Sequence, residues 1–204
     1  PALYKALIEQ TTTTNMSAEQ IHRIGLDEVE RIRQDMLEIK RKVGFEGSLK
    51  AFFDHLRTDP QFKFASKQAL LDGYDAIRSR VDAAVPKLFT LTPRSPFEIR
   101  PVPEYSERSQ AAGYYRPGTP DGSRPGIFFV NTYDLPSRTT PRMETLFLHE
   151  AIPGHHFQIA LAQENESLPN FMRFDGNTAF AEGWALYAES LGPELGMFTD
   201  PYQA

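Results

Sequence analysis

The 204-residue chain contains no cysteine, which removes disulfides, thiolate metal sites and thiol catalysis together. Compartment stays open, because a cysteine-free chain suits the cytosol and the exterior equally. No apolar run approaches the roughly 18 residues of a spanning helix, so no transmembrane segment is expected. Basic residues are in deficit, 22 Lys and Arg against 27 Asp and Glu, for a net charge of -5. Without a dense basic cluster, nucleic acid is an unsuitable partner. Histidine is scarce too, five in all, yet three of the five fall within residues 149–156. With 40% hydrophobic and 24% charged residues the chain has the composition of a folded protein with a core. It begins at Pro1 and its last stretch, Met197–Ala204, has no closing element, so it is expected to be one fragment of a larger domain, cut at both ends.

In chain order, residues 1–91 read as helical. Tyr4, Leu7 and Ile8 precede a polar Thr11–Asn15 tract that reads as a loop. Ser17 and Gln20 form a capping box, and Ile21, Gly25, Val29, Ile32, Met36, Ile39 and Val43 recur at steps of three and four, predicting a long amphipathic helix closed by Gly44 and Gly47. Ser48 caps a short helix that Asp59-Pro60 breaks. A third, from about Ser66 to Val85, carries Leu70, Tyr74, Ile77, Val81 and Ala84 on one face. His22 and His55, on these helices, have no ligand-type neighbour and read as ordinary surface or boundary residues.

Residues 92–140 hold eight prolines, which forbid long helices and leave short extended segments. Phe97–Val102, Ala112–Arg116 and Gly126–Asn131 are the candidate strands, the last two folding into an antiparallel hairpin. Residues 141–204 return to helix. Thr140 before Pro141 fits an N-cap with proline at the first position. The segment Leu146–Leu161 is apolar on more than one side, and Thr178–Leu191 reads as a second buried helix. The fold class is therefore α+β and mostly helical, with a small antiparallel sheet ahead of a buried helix that carries the histidines.

That helix contains LHEAIPGHHFQ, residues 148–158. Neutral imidazoles are the commonest protein ligands for zinc, and an adjacent carboxylate can serve as general base toward water. A four-residue histidine step, which would put both rings on one helix face, is missing because Pro153 occupies the second position. On a regular helix His155 would lie about 9 Å along and about 240° around from His149. Pro153 and Gly154 supply the means of breaking that helix. Aligning His155 needs fewer looped-out residues than aligning His156, so His155 is the preferred second ligand, with His156 behind the ligands or facing substrate. The third ligand should be a carboxylate or histidine from another element, and with no histidine left downstream the candidates are Glu164, Glu166, Asp175, Glu182, Glu189 and Glu194. Glu182 stands out in an aromatic-rich apolar helix where an unpaired carboxylate would be costly to bury. Glu189 could hold a ligand imidazole from behind. An ion pair from Glu182 to Arg142 or Arg173 is the competing explanation, and Trp184 and Tyr187 read first as core.

HEAIPGHHFQ followed by FAEGWALYAE resembles the DUF885 family of bacterial proteins, which look like gluzincin-type zinc metallopeptidases. TTTTNMSAEQIHRIGLDEVERIRQDM and GYYRPGTPDGSRPGIFFVNTYD are similar to the same family. The resemblance implies one Zn2+ held by His149, a histidine of the 155–156 pair and Glu182, with Glu150 as general base. It implies that Gly126–Asn131 acts as an edge strand for an extended peptide, which makes Asn131 a candidate at the substrate, with Tyr187 beside the site as another. It also implies a bacterial setting and members longer on both sides, while localisation stays unknown, export being one option. Peptides are the expected substrates. A non-peptide amide, or a binding module with a vestigial site, are the rivals.

Overall fold

The computed structural model describes residues 2–203. Eight helices and three strands follow one another as α1 (Ala2–Thr12), α2 (Ala18–Lys42), α3 (Leu49–Thr58), α4 (Lys67–Ala84), β1 (Phe97–Pro101), β2 (Gly113–Arg116), β3 (Gly126–Val130), α5 (Met143–Glu150), α6 (His155–Glu164), α7 (Asn170–Phe174) and α8 (Thr178–Ser190). The class is α+β and mostly helical, as expected. No helix among the described residues is long and apolar enough to cross a membrane.

The caps read from sequence are in place. Ser17 accepts from the Gln20 amide at 3.2 Å while the Gln20 side chain accepts from the Ser17 amide at 2.8 Å. Gly44 and Gly47 have φ of 70° and 114° and end α2. Ser48 and Ser66 cap α3 and α4. Two helical boundaries differ from expectation. Thr11 and Thr12 belong to α1 rather than to a loop, the Thr12 hydroxyl donating to the Ile8 carbonyl. Thr140 is not the N-cap of α5: Thr140–Arg142 is a 3-10 turn running into the helix, and Thr139 at its start makes no side-chain cap.

Helix α2 is amphipathic, yet Val29, Ile32 and Met36 remain exposed in this chain. Its surface carries ion pairs of Arg31 with Glu28 and Asp35 and of Arg33 with Glu30, all solvent-exposed and therefore screened, so they add little to stability.

The sheet is mixed, correcting the expected antiparallel one. Strand β3 lies in the middle of the order β1-β3-β2, antiparallel to β2 and parallel to β1 in the register Phe97 to Gly126. The predicted hairpin is present. The wholly antiparallel sheet is not, because the 102–112 connection carries the chain past the position that β3 later fills. With both neighbours in place and both faces covered, β3 is buried throughout. Phe128 and Val130 join the α4 stripe Leu70, Tyr74, Ile77 and Val81 together with Phe147, Leu148 and Phe157 in the main core. Ile127 and Phe129 pack with Val102 on the other face.

The core also holds a carboxylate. Glu144 on α5 is 1% exposed and accepts from the Arg80 guanidinium of α4 and, at 2.5 Å, from the Phe198 amide. It thereby ties α4, α5 and the chain beyond α8 together. Glu144→Ala leaves both donors without their acceptor, and a loss of about 2 kcal/mol is expected. A lower denaturation midpoint at unchanged slope checks this.

Candidate metal centre

Helix α5 is fixed by Phe147 and Leu148, both fully buried, and ends with His149 and Glu150 in its last turn. The next residue leaves helical geometry: Ala151 has φ of -109° and ψ of -102°. Pro153 brings no amide hydrogen, and Gly154, at φ of -77° and ψ of -131°, precedes α6. A Cβ on Gly154 would collide with the carbonyl oxygens of Leu148 and His149. The interruption read from Pro153 and Gly154 is therefore the local structure, and His155 and His156 open a new helix.

Helix α8 is fastened to this break. The Trp184 indole N–H donates to the Pro153 carbonyl at 2.7 Å, which places Glu182 and Glu189 opposite α5. The Glu189 carboxylate accepts from His149 Nδ1 at 2.7 Å. His149 Nε2 lies 3.4 Å from Glu182 Oε2 and His155 Nε2 lies 3.7 Å from Glu182 Oε1. The two imidazoles meet edge to face at 4.7 Å between centroids. One donor atom from each of His149, His155 and Glu182 lies within 4.8 Å of the others. Ligands about 2.0–2.2 Å from a tetrahedral ion stand roughly 3.4 Å apart, so two imidazoles and a carboxylate at these separations could hold a single metal ion.

The electrostatics suit that use. The hydrogen bond to Glu189 raises His149 above its ordinary range against the opposing effect of burial. Burial lowers His155, with the charge of His149 acting in the same direction and Glu182 against it, which favours the neutral ring that a metal ligand needs. His155 Nδ1 is sealed from solvent and meets no partner, so this ring is held by its place at the start of α6. Glu150 is 8% exposed, and burial raises its carboxyl, partly offset by His149 and the main-chain amide of Tyr115.

Several expected placements are changed. Glu182 is not buried: its side chain is 54% exposed because α8 turns only Ala185 and Ala188 fully inward. It is singled out by its two histidine neighbours, and neither Arg142 nor Arg173 pairs with it. Arg173 donates instead to the Gln163 carbonyl. Among the other acids considered, Glu164 is taken by the Arg94 and Ser95 amides. His156 is 2% exposed and outside the cluster, its ring tilted against Phe97 at 4.7 Å and 3.0 Å from the Tyr115 hydroxyl. Tyr187 is half exposed against Trp184. Asn131 is 1% exposed and spends its side chain on the Glu107 and Gln110 carbonyls and the Tyr133 amide, so it holds a loop rather than facing the centre.

The edge-strand expectation is overturned as well, since β3 has a partner on either side. The edge beside α5 and α6 is β2. The Asn131 amide donates to the Ala112 carbonyl at 2.9 Å, and by antiparallel alternation the main-chain groups of Gly113 and Tyr115 point away from β3. Tyr115, which no sequence motif marks, thus reaches Glu150 through its amide and His156 through its hydroxyl. Trp184 was visible in the sequence as the one tryptophan, but its use as a clamp was not.

The 204 residues match in full the family described as "Bacterial protein of unknown function (DUF885)", and the chain belongs to that family. No curated protein matches it. Among solved structures it is similar to a Colwellia psychrerythraea protein described as a "putative lipoprotein", at 35% identity and a TM-score of 0.94. That similarity covers 99% of this chain and 36% of the other, so the chain spans about a third of its length.

Two outcomes are expected from this geometry. Gly154→Ala forces the α5–α6 turn apart, at a cost of about 3 kcal/mol, visible as a lower thermal midpoint. Burial, reinforced by the charge of Arg78, holds His156 down at about 4 against its ordinary 6.5. Between those values the unfolded chain binds a proton that the folded chain refuses. The contribution is therefore whole above pH 6.5, shrinks as pH falls through the window and is gone near the folded value. The thermal midpoint of His156→Gln should fall less steeply across that window than that of the unaltered chain.

Proposed function

We propose that this chain carries the centre of a zinc-dependent hydrolase, in the first place a metallopeptidase, with one Zn2+ held by His149, His155 and Glu182. The observation that carries this reading is the convergence of two imidazole Nε2 atoms on one carboxylate, directly beside a carboxyl group, Glu150, that burial raises above its ordinary range. A carboxyl tuned upward is a better base near neutral pH. Zinc, when bound, would polarise a scissile carbonyl and acidify a water molecule.

The chain's own residues do the rest. Glu189 accepts a hydrogen bond from Nδ1–H of His149, which keeps the hydrogen on Nδ1 and leaves the Nε2 lone pair facing Glu182. Glu150 takes a proton from the attacking water and returns it to the departing amine. The Tyr115 amide orients Glu150, and His156 holds Tyr115. An extended peptide pairs with the outward edge of β2, where recognition through the main chain needs little side-chain specificity. A non-peptide amide would use the same groups without the strand. The lipoprotein description of the Colwellia protein fits an exported setting.

Calorimetric titration with zinc tests the centre: one ion per chain is expected, and His155→Ala or Glu182→Gln should weaken uptake by at least tenfold. In the protein that carries this chain, Glu150→Gln should keep zinc and lose peptide hydrolysis. A chain that takes up no zinc, or unchanged turnover in Glu150→Gln, would overturn the reading.

A further inference from the structure

Beside Glu150, and lined also by His149 and Glu189, the fold leaves a cavity of about 330 Å³. Leu70, Val130 and Leu146 give it apolar walls, and Tyr74, Arg138 and Arg142 line it as well. Both arginines come from the segment that leads into α5. Neither has a carboxylate partner among the described residues. Arg138 Nε is sealed from solvent with no hydrogen-bond partner, and the nearest engagement of its guanidinium is a 3.4 Å contact with the Tyr133 carbonyl. An unpaired polar atom inside a fold costs free energy unless something arrives to meet it. The two charges also reach the cavity floor, since both bear on the ionisation of the buried Tyr74.

The acidic groups in the same wall are already committed. Glu189 is held by His149, and Glu150 is the group placed above as the base. What remains unspent is the pair of guanidinium groups, whose planar forks match a carboxylate. The cavity is of the size that takes a single residue-sized ligand.

From this we infer that the cavity is a carboxylate-recognition subsite, in which Arg138 and Arg142 receive the carboxylate of an apolar residue whose amide lies at Glu150. This rests on the hydrolase reading and narrows its substrates to peptides and acylamino acids that present a free carboxylate next to the scissile amide.

The probes are N-acetylphenylalanine, its C-terminal amide, and N-acetylaspartate α-amide, titrated calorimetrically into the chain after chelation and again after adding zinc. The acid is expected to bind at least tenfold more tightly than its amide in both metal states. That ratio should fall toward one in Arg138→Gln and in Arg142→Gln. Arg138→Lys, which keeps the charge without the fork, should retain part of it, and Arg142, being exposed, can be replaced without disturbing the fold. Binding of the aspartate amide as tight as that of the acid would assign the subsite to side-chain carboxylates, and weaker binding to a chain terminus. Equal affinity for acid and amide overturns the inference, as does an acid preference that needs zinc and survives both glutamine substitutions. Peptide cleavage is scored separately. Cleavage without acid preference removes the subsite and leaves the hydrolase, whereas acid preference without cleavage removes the hydrolase and leaves the subsite.

Discussion

The candidate centre depends on one cancellation of helical phase. Six residues separate His149 from His155, and on a continuous helix that step would aim the rings apart by about 240° and 9 Å. Here the ring centroids are 4.7 Å apart. A break inside a core is costly unless its backbone groups find partners, and in this one several do. Ala151 donates to Phe147 at 2.9 Å, Phe157 to Ala151 at 3.3 Å and Gln158 to Gly154 at 3.0 Å. Pro153 has no hydrogen to place, and its carbonyl is the acceptor for Trp184. The residue that stops the helix is thus also the anchor of α8, so the break and the arrival of Glu182 have a common cause.

The three ligand candidates are held with different firmness. His149 is fixed twice, by α5 and by Glu189. His155 is fixed by backbone position alone. Glu182 is more than half exposed and keeps much of its rotamer freedom, which ordering by an ion would remove at some entropic cost. Two rigid bases and one adaptable carboxylate let a cation complete the geometry at small backbone cost. Glu182 and Glu189 come from α8 and Glu150 from α5, and the cavity that Glu150 and Glu189 line also holds the two arginines without a carboxylate partner.

Much of the fold was legible because its signals are local. Capping serines, the Leu70 to Ala84 stripe, glycines after α2 and the Pro153-Gly154 interruption act within one or two turns of themselves. What was not legible depended on distant partners. Strand β3 looks like the second half of a hairpin, and nothing in GIFFV says that β1 will close its other side in parallel. The apolar character of TAFAEGWALYAES predicts a buried helix, but burial depends on what packs against it, and in this chain Phe180, Leu186 and Tyr187 stay exposed. Glu182 therefore lacks the burial that its sequence neighbours suggest. Counting looped-out residues favours His155 over His156. In the structure His155 faces Glu182, while His156 turns into the core against Phe97. Asn131 failed as a site candidate because loop carbonyls more than twenty residues earlier use its amide.

Tyr115 shows how tightly the sheet and the centre are coupled. Its amide faces Glu150, its hydroxyl reaches His156, and its ring meets the His156 ring at 5.5 Å. There is room for it because residue 126 is glycine, where a Cβ would collide with the Tyr115 hydroxyl and meet His156 Nδ1 at 3.0 Å. A one-residue slip of β2 against β3 would turn Tyr115 to the opposite face, removing the amide from the base and the hydroxyl from the histidine in a single step. The register of an edge strand therefore sets the position of the base. The main-chain groups of that strand that face away from β3 are those an extended peptide would meet, so a bound strand and Glu150 would be aligned by the same residue.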